Sequence, residues 1–230
     1  MIVRDGIVYY SCSACGQATE AVPFETCLAL TFDGATVEEE FNALGLSDML
    51  TLVNVNGAAQ IKEVDGKSVL FFKTANPLWI DVDPAFLNDA TCYKVSFDYC
   101  VNKSVTSGSQ ISLFGATPGA ANGNGAQAFN NIAKYDRSTG WLKHGDTKNT
   151  TQYFEVTTGQ FYHIDILVNN VGTTGAAYLF VDGEYICTVN GYAMNEENGA
   201  KYGGNLSFRI GEDGNTHDPL YDNLTISVVR

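Results

Sequence analysis

His163 and Asp165 stand two apart in the run Phe161-Tyr-His-Ile-Asp-Ile-Leu-Val168. If that run is a strand, both side chains leave the same face, because side chains alternate along a strand. Asp98, in Tyr93-Lys-Val-Ser-Phe-Asp-Tyr99, takes the same polar phase in a second run. A histidine beside carboxylates can carry protons near neutral pH. The same pattern is also the ordinary solvated side of a sheet. A second group lies in Lys134-Tyr135-Asp-Arg137-Ser-Thr-Gly-Trp141-Leu-Lys-His144, which reads as strand, Ser-Thr-Gly turn and return strand. Trp141 stands near the turn among polar neighbours, where it can stack on a sugar ring, with Tyr135 and Arg137 on the same surface. Packing over the edge of a sheet is the alternative. Trp79, in Pro-Leu-Trp-Ile, reads as core, and Tyr192 and Tyr202 are weaker stacking candidates in a Gly/Asn-rich stretch. Cys12-x-x-Cys15 before Gly16 is one knuckle of a zinc site. Tetrahedral zinc takes four ligands, and the usual second pair is missing. Cys27 is a candidate third ligand, and the segment holds no His. Half of a structural zinc site is one reading; a disulfide or free thiols are the others.

The elements that must position these residues are mostly strands. Leu28–Phe32, Leu50–Val53, Ser68–Phe72, Leu78–Ile80, Tyr93–Val101, Ile111–Phe114 and Ala128–Tyr135 follow one another. Tyr153–Val156, Phe161–Val168, Ala177–Val181, Tyr185–Val189, Asn205–Ile210 and Leu220–Val229 complete the series. Asp182-Gly183 between two of them is a strong hairpin signal. One helix is expected: Thr36 caps it, Glu39 completes a capping box, and Glu38, Glu39 and Glu40 favour its positive end. Phe41 and Leu44 supply its apolar stripe, and Gly45 ends it. A second helical turn is expected at Pro84–Leu87. About a dozen short strands at hairpin spacing imply an all-β fold, an antiparallel β-sandwich or jelly roll with one or two short helices. Residues 1–24, with the strand-like Ile7–Ser11 and the Cys-x-x-Cys segment, read as a separate partial module. Residues 25–230 read as the jelly-roll domain.

The chain has 230 residues, 45% of them apolar and 17% charged, which suits a folded domain with a sizeable core rather than disorder. Its 26 acidic residues against 13 Lys and Arg give a formal charge of −13. That disfavours nucleic acid and anionic membrane surfaces as partners. No stretch approaches the ~20 apolar residues of a membrane span. The chain opens as if within an element, so a piece of a longer exported protein is favoured over a cytoplasmic one.

Tyr-Lys-Val-Ser-Phe-Asp-Tyr (93–99), Phe-Tyr-His-Ile-Asp-Ile-Leu-Val (161–168) and Ala-Tyr-Leu-Phe-Val-Asp-Gly-Glu-Tyr (177–185) occur in that order. Leu-Ser-Phe-Arg-Ile-Gly (206–211) and Leu-Tyr-Asp-Asn-Leu-Thr-Ile (220–226) follow. Over residues 26–230 this resembles the concanavalin A-like, laminin-G-like jelly rolls of bacterial surface proteins and carbohydrate-binding modules. Gly6–Gly16 is similar to the second half of a small cysteine-rich module of such surface proteins. The resemblance implies a secreted or cell-surface location, a bacterial source and a glycan or polysaccharide partner. With a bacterial source, the four Asn-x-Ser/Thr sequons at Asn102, Asn149, Asn205 and Asn223 carry no glycosylation.

In a jelly roll the two chain ends usually run side by side, which brings Asp33, just past the first strand, towards Asp222 in the last. Asp222 is in phase with Leu224, Ile226 and Val228, taken as core-facing, so it needs a partner or a cation. Two converging carboxylates with backbone carbonyls suit Ca²⁺, and the resemblance implies a structural calcium at such a place. Local turn and capping roles are the alternative. The loop Glu212–Asp218 can add ligands but lacks EF-hand spacing. Cys92 and Cys100, eight apart in one strand, would be ~26 Å apart and cannot pair; with Cys187 they read as buried thiols. Enzymes of this fold set a stringent comparison. The Glu-x-Asp-x-x-Glu strand of its glucanases and the Arg-x-Glu and Gln-x-His strands of its alginate lyases are missing here. The expectation is therefore a non-catalytic carbohydrate-binding or adhesion module of a larger surface protein, monomeric as a module. A carbohydrate-active enzyme with an atypical site and a purely structural spacer are the alternatives.

Overall fold

A computed structural model describes residues 2–4, 7–11, 18–21, 23–46, 48–73, 76–82, 92–102, 110–118, 133–136, 141–144, 154–169, 176–190, 206–211 and 218–229. The described residues form a three-stranded, a seven-stranded and a larger antiparallel sheet. The N-terminal sheet holds β1 (Ile2–Arg4), β2 (Ile7–Ser11) and β3 (Ala18–Ala21), in that order. Next come β4 (Glu25–Leu30), helix α1 (Val37–Ala43) and β5 (Leu50–Asn54). A 3-10 turn over Val55–Gly57 leads into β6 (Ala59–Val64) and β7 (Lys67–Phe72). Then follow β8 (Leu78–Val82), β9 (Cys92–Val101), β10 (Gln110–Pro118), β11 (Ala133–Asp136), β12 (Trp141–His144) and β13 (Phe154–Glu155). Last are β14 (Phe161–Asn169), β15 (Ala176–Val181), β16 (Glu184–Asn190), β17 (Leu206–Ile210) and β18 (Pro219–Val229).

The seven-stranded sheet runs β13-β12-β11-β10-β17-β8-β5, and the larger one β16-β15-β14-β9-β18-β7-β6, with β4 beside β18. The core lies between them. Alternation sends Tyr93, Val95, Phe97 and Tyr99 of β9 and Ile164 and Ile166 of β14 inward. They meet Leu78 and Ile80 of β8 and Phe208 and Ile210 of β17, all essentially buried. Tyr221 is the aromatic centre, with ring centroids of Tyr99, Phe97 and Phe72 at 5.3, 5.5 and 5.6 Å. Gly211 must be glycine there: its φ is +70°, and an added Cβ would come within 2.6 Å of the Phe72 ring.

The helix is capped as expected, with the Glu39 amide donating to Thr36 Oγ1 at 3.1 Å and Gly45 at φ +68° past its end. The Asp182-Gly183 hairpin has φ of +51° and +79°, the pattern of a two-residue turn with both central residues left-handed. Asp65-Gly66 carries the same signal, with φ of +52° and +79°. It joins β6 to β7, and β6 is a strand that sequence reading passed over. The chain-end expectation holds: β4 pairs antiparallel with β18, with Leu30 opposite Leu224. The expected turn at Pro84–Leu87 lies outside the described residues.

Candidate functional site

Strand register assembles a polar row on the outer face of the larger sheet. With Tyr162, Ile164 and Ile166 in the core, His163 and Asp165 emerge on the other side of β14. His163 is opposite Asp98 of β9, and Asp98 is opposite Asp222 of β18. Asp165 is opposite Ser96. The three residues that sequence reading grouped are therefore brought together. His163 Nδ1 lies 2.7 Å from Asp98 Oδ1, and Nε2 lies 3.6 Å from Asp165 Oδ1. The surroundings were not foreseen. Ser96 donates its hydroxyl to Asp165, and Lys94 Nζ stands 3.6 Å from the same carboxylate. Asn223 Nδ2 donates to Asp98 Oδ2 at 2.8 Å. The backbone of His163 is clasped by the hairpin turn: its amide donates to Asp182 Oδ1, and its carbonyl accepts from the Asp182 amide, both at 2.8 Å.

Charge follows geometry. Asp165 and Asp98 together raise the imidazole from 6.5 to about 10, against the opposing effect of burial. Burial pushes Asp98 up, but hydrogen bonds from His163 and Asn223 and the charges of His163 and Lys67 outweigh it and hold the carboxyl below its ordinary value. Burial likewise acts on Asp165 and is outweighed by His163, Ser96 and Lys94. His163 is thus a fixed cation between two carboxylates. A general base works best with a pKa near the operating pH, and this ring keeps its proton well above neutrality. The arrangement is a clamp between β9, β14 and β18, and an array of donors and acceptors open to solvent: 45% of the His163 side chain is exposed.

Asp222 departs from expectation. It is not in phase with Leu224, Ile226 and Val228, because a β-bulge falls between Asp222 and Thr225. Asn223, at φ +51°, is the extra residue. Tyr221 before it and Leu224 after it both face the core, so Asp222 points outward. The bulge lies where β18 changes neighbour, from β7 at Leu220 and Tyr221 to β4 from Leu224 onward. Burial raises the Asp222 carboxyl, with the charges of Asp98 and Asp33 adding to it and the Asn223 amide and Lys67 opposing. Asp33 and Asp222 therefore do feel one another. Among the described residues, no group of three or more His, Cys, Asp or Glu is placed to hold a metal ion. Residues 212–217 lie outside the described part.

Trp141 and Tyr135 lie on the β12 and β11 strands, as expected, opposite Asp136 and Leu142 respectively. Arg137, Cys12, Cys15, Tyr192 and Tyr202 lie outside the described residues. Cys27 is half-buried, its Sγ 3.5 Å from the Glu25 carbonyl, and Cys92, Cys100 and Cys187 are buried free thiols. Trp79 is 9% exposed, but it is not between the sheets. Its neighbours Leu78 and Ile80 face the core, so Trp79 lies on the outer face of the seven-stranded sheet, with the Arg209 guanidinium 5.5 Å from its ring.

No family model matches the chain, and no curated protein matches it in sequence. Solved structures do. An alginate lyase from Chlorella virus superposes with a TM-score of 0.55 at 11% identity, over 86% of this chain and 99% of that one. An endo-1,3-beta-glucanase from Streptomyces sioyaensis gives 0.54 at 12% identity, over 92% and 99%. A sialidase from Trypanosoma rangeli gives 0.52 at 14% identity, over 95% of this chain and 34% of that one. At such identities the likeness is one of fold, and the fold is the concanavalin A-like jelly roll.

Proposed function

We propose that this chain is a non-catalytic carbohydrate-binding or adhesion module of a larger extracellular or cell-surface protein, acting as a monomer. The observation that carries the non-catalytic part is the geometry around His163, whose ring nitrogens lie 2.7 Å from Asp98 and 3.6 Å from Asp165. The best-formed His/carboxylate set among the described residues holds its proton up to about 10, which suits a structural clamp and not proton transfer at neutral pH. The carbohydrate part draws support from the neighbours, whose names specify alginate, a 1,3-β-glucan and sialic acid chemistry. Trp141 on β12 is the stacking residue of this proposal, with Tyr135 and Arg137 beside it in sequence. A Ca²⁺ between Asp33 and Asp222 belongs to the same proposal, supported by the Asp222 carboxyl, which burial raises first and the charges of Asp98 and then Asp33 raise further. Cys12 and Cys15 are proposed as half of a zinc site completed by residues upstream.

A glycan-array screen tests the reading, with Trp141→Ala as the companion variant. Trp141→Ala is expected to lower affinity for a bound glycan by about 1–3 kcal/mol with folding little changed. A fall in melting temperature with affinity unchanged would make Trp141 a packing residue. The second reading, a carbohydrate-active enzyme, is favoured by the neighbours that are themselves enzymes. Turnover of a glycan that ceases in Asp165→Ala would establish it. A blank array with no turnover would leave the spacer role.

A further inference from the structure

Helix α1 leans over the turn between β5 and β6, and Glu38 is the shared wall of two cavities there. One, of about 270 Å³, lies between the start of the helix and Asn54, Gly57 and Gln60. The other, of about 370 Å³, lies on the far side of Glu38 against Asn42 and Thr51. Each matches the smallest ligand pockets, of about 300 Å³, which is room for one ring rather than an extended chain. The wall between them is held in place. Asn54 Nδ2 donates to Glu38 Oε1 at 2.7 Å and to the Ala59 carbonyl at 2.7 Å, while Asn54 Oδ1 accepts from the Ala59 amide at 2.8 Å. The first bond ties the helix to the turn, and the other two close the turn itself, whose shape is set by Asn56 and Gly57 at φ of +56° and +60°. That one bond from Asn54 restrains the exposed Glu38 carboxylate, which lowers the cost of ordering it on a ligand.

The chemistry of the two cavities is mixed in a specific way. Apolar surface comes from the half-buried Ile61 on one side and Leu52 on the other, over a floor of the buried Val37, Ala59, Phe41 and Leu50. Polar groups stand around it: a carboxylate, and the amides of Gln60 and Asn42. A sugar ring has that character, with C–H faces and a rim of hydroxyls. A carboxylate accepts two hydroxyl protons at once, as charge-assisted bonds. The residues lining both cavities include no Lys, Arg or His, so a sugar carrying its own carboxylate would meet only like charge.

We infer that this cleft is a second saccharide-binding site, selective for neutral over acidic sugars, with Glu38 as the hydroxyl acceptor. It rests on the proposal that the module binds carbohydrate, and it places part of that binding away from Trp141. The test is a backbone-amide NMR titration of the whole chain with methyl β-D-glucopyranoside, methyl β-D-galactopyranoside and methyl α-D-mannopyranoside. Methyl β-D-glucuronide and methylammonium chloride serve as charged controls. At least one neutral glycoside is expected to shift Asn42, Asn54, Gly57 and Gln60, with the glucuronide doing so at least about tenfold more weakly. Glu38→Gln keeps the shape and a bond to Asn54 but removes the charged acceptor, and is expected to weaken the effect by about 10- to 100-fold. Trp141→Ala leaves it unchanged. Glycoside shifts confined to residues near Trp141, or equal shifts in Glu38→Gln, would overturn the cleft while sparing the carbohydrate reading. Methylammonium shifting these amides while no glycoside does would make it an amine site and also overturn the inference. No shift anywhere, together with a blank glycan array, would overturn both.

Discussion

Replacing His163 by Gln removes a charge while leaving a side chain that can still donate a hydrogen bond to Asp98. Its effect on stability should depend on pH in a calculable way. The imidazole lies at about 10 in the folded chain against 6.5 as its ordinary value. The full displacement corresponds to ~5 kcal/mol. With 45% of the side chain in solvent, screening reduces this to about 1–2 kcal/mol. A group raised in the folded state contributes fully below its unfolded pKa, here below 6.5, and that contribution fades as pH climbs towards 10. Asp98 and Asp165 are lowered, so their share is present above their ordinary 3.8 and disappears as acid protonates them. The clamp is therefore worth most between about pH 4 and 6.5. Charged groups facing it are Lys94 of β9, Lys67 of β7, Asp222 of β18 and Asp182 of the hairpin turn. For a chain of this size 1 kcal/mol moves Tm by roughly 2–4 °C. Thermal unfolding followed by circular dichroism should place His163→Gln roughly 2–8 °C below the parent at pH 5.5, with the gap closing by pH 10. An equal gap at both pH values would refute the charged clamp. No gap at either would show that His163 contributes nothing to the sheet, and an NMR titration of the ring with a midpoint near 6.5 would refute the premise directly.

Three further outcomes are expected. EDTA should lower Tm if Ca²⁺ joins Asp33 and Asp222, by an amount equal to about 2.7 kcal/mol at a hundredfold excess of ion over its Kd; Asp222→Ala should abolish the EDTA effect, and an unchanged Tm with no metal by elemental analysis would reject the ion. Zinc should bind this chain weakly, and tightly once upstream residues complete the Cys12-x-x-Cys15 knuckle; stoichiometric zinc in this chain alone would show that Cys27 or another residue closes the site. Burial pushes the Cys92 and Cys187 thiols up to about 12, so at pH 8 the thiolate fraction is on the order of 10⁻⁴. Cys27 should react with a disulfide reagent well ahead of Cys92, Cys100 and Cys187, and equal rates in the native protein would contradict their burial.

The physics of what could be read from the sequence is local. Alternation in Tyr93–Tyr99 and Phe161–Val168 was enough to place Asp98, His163 and Asp165 on one face, because the apolar alternates of both strands must face the core and the polar alternates of both then share the other side. Register then decided whether they touch, and it is set by pairing across the sheet. Asp222 shows where alternation fails. One extra residue, Asn223, reverses the phase of the strand, and a sequence does not mark a bulge unless its left-handed residue is recognised; an Asn held at φ +51° is the kind of residue that tolerates it. Trp79 illustrates a related limit, since burial does not say which face of a sheet is buried. β6 was legible, through Asp65-Gly66, and its mixed Gln-Ile-Lys-Glu-Val composition hid it. The Glu38 cleft could not have been read at all. It depends on a 3-10 turn that brings Asn54 and Gln60 to a helix sixteen residues upstream of Asn54.

The central claim is binding without turnover, and one calorimetric titration addresses both halves. The glycan retained most strongly on the array would be injected into the whole chain at neutral pH. The account predicts saturable heats that return to baseline after each injection, weakened in Trp141→Ala and intact in Asp165→Ala. A sustained displacement of the baseline that scales with protein concentration and vanishes in Asp165→Ala would mean that the glycan is being consumed, and would contradict it.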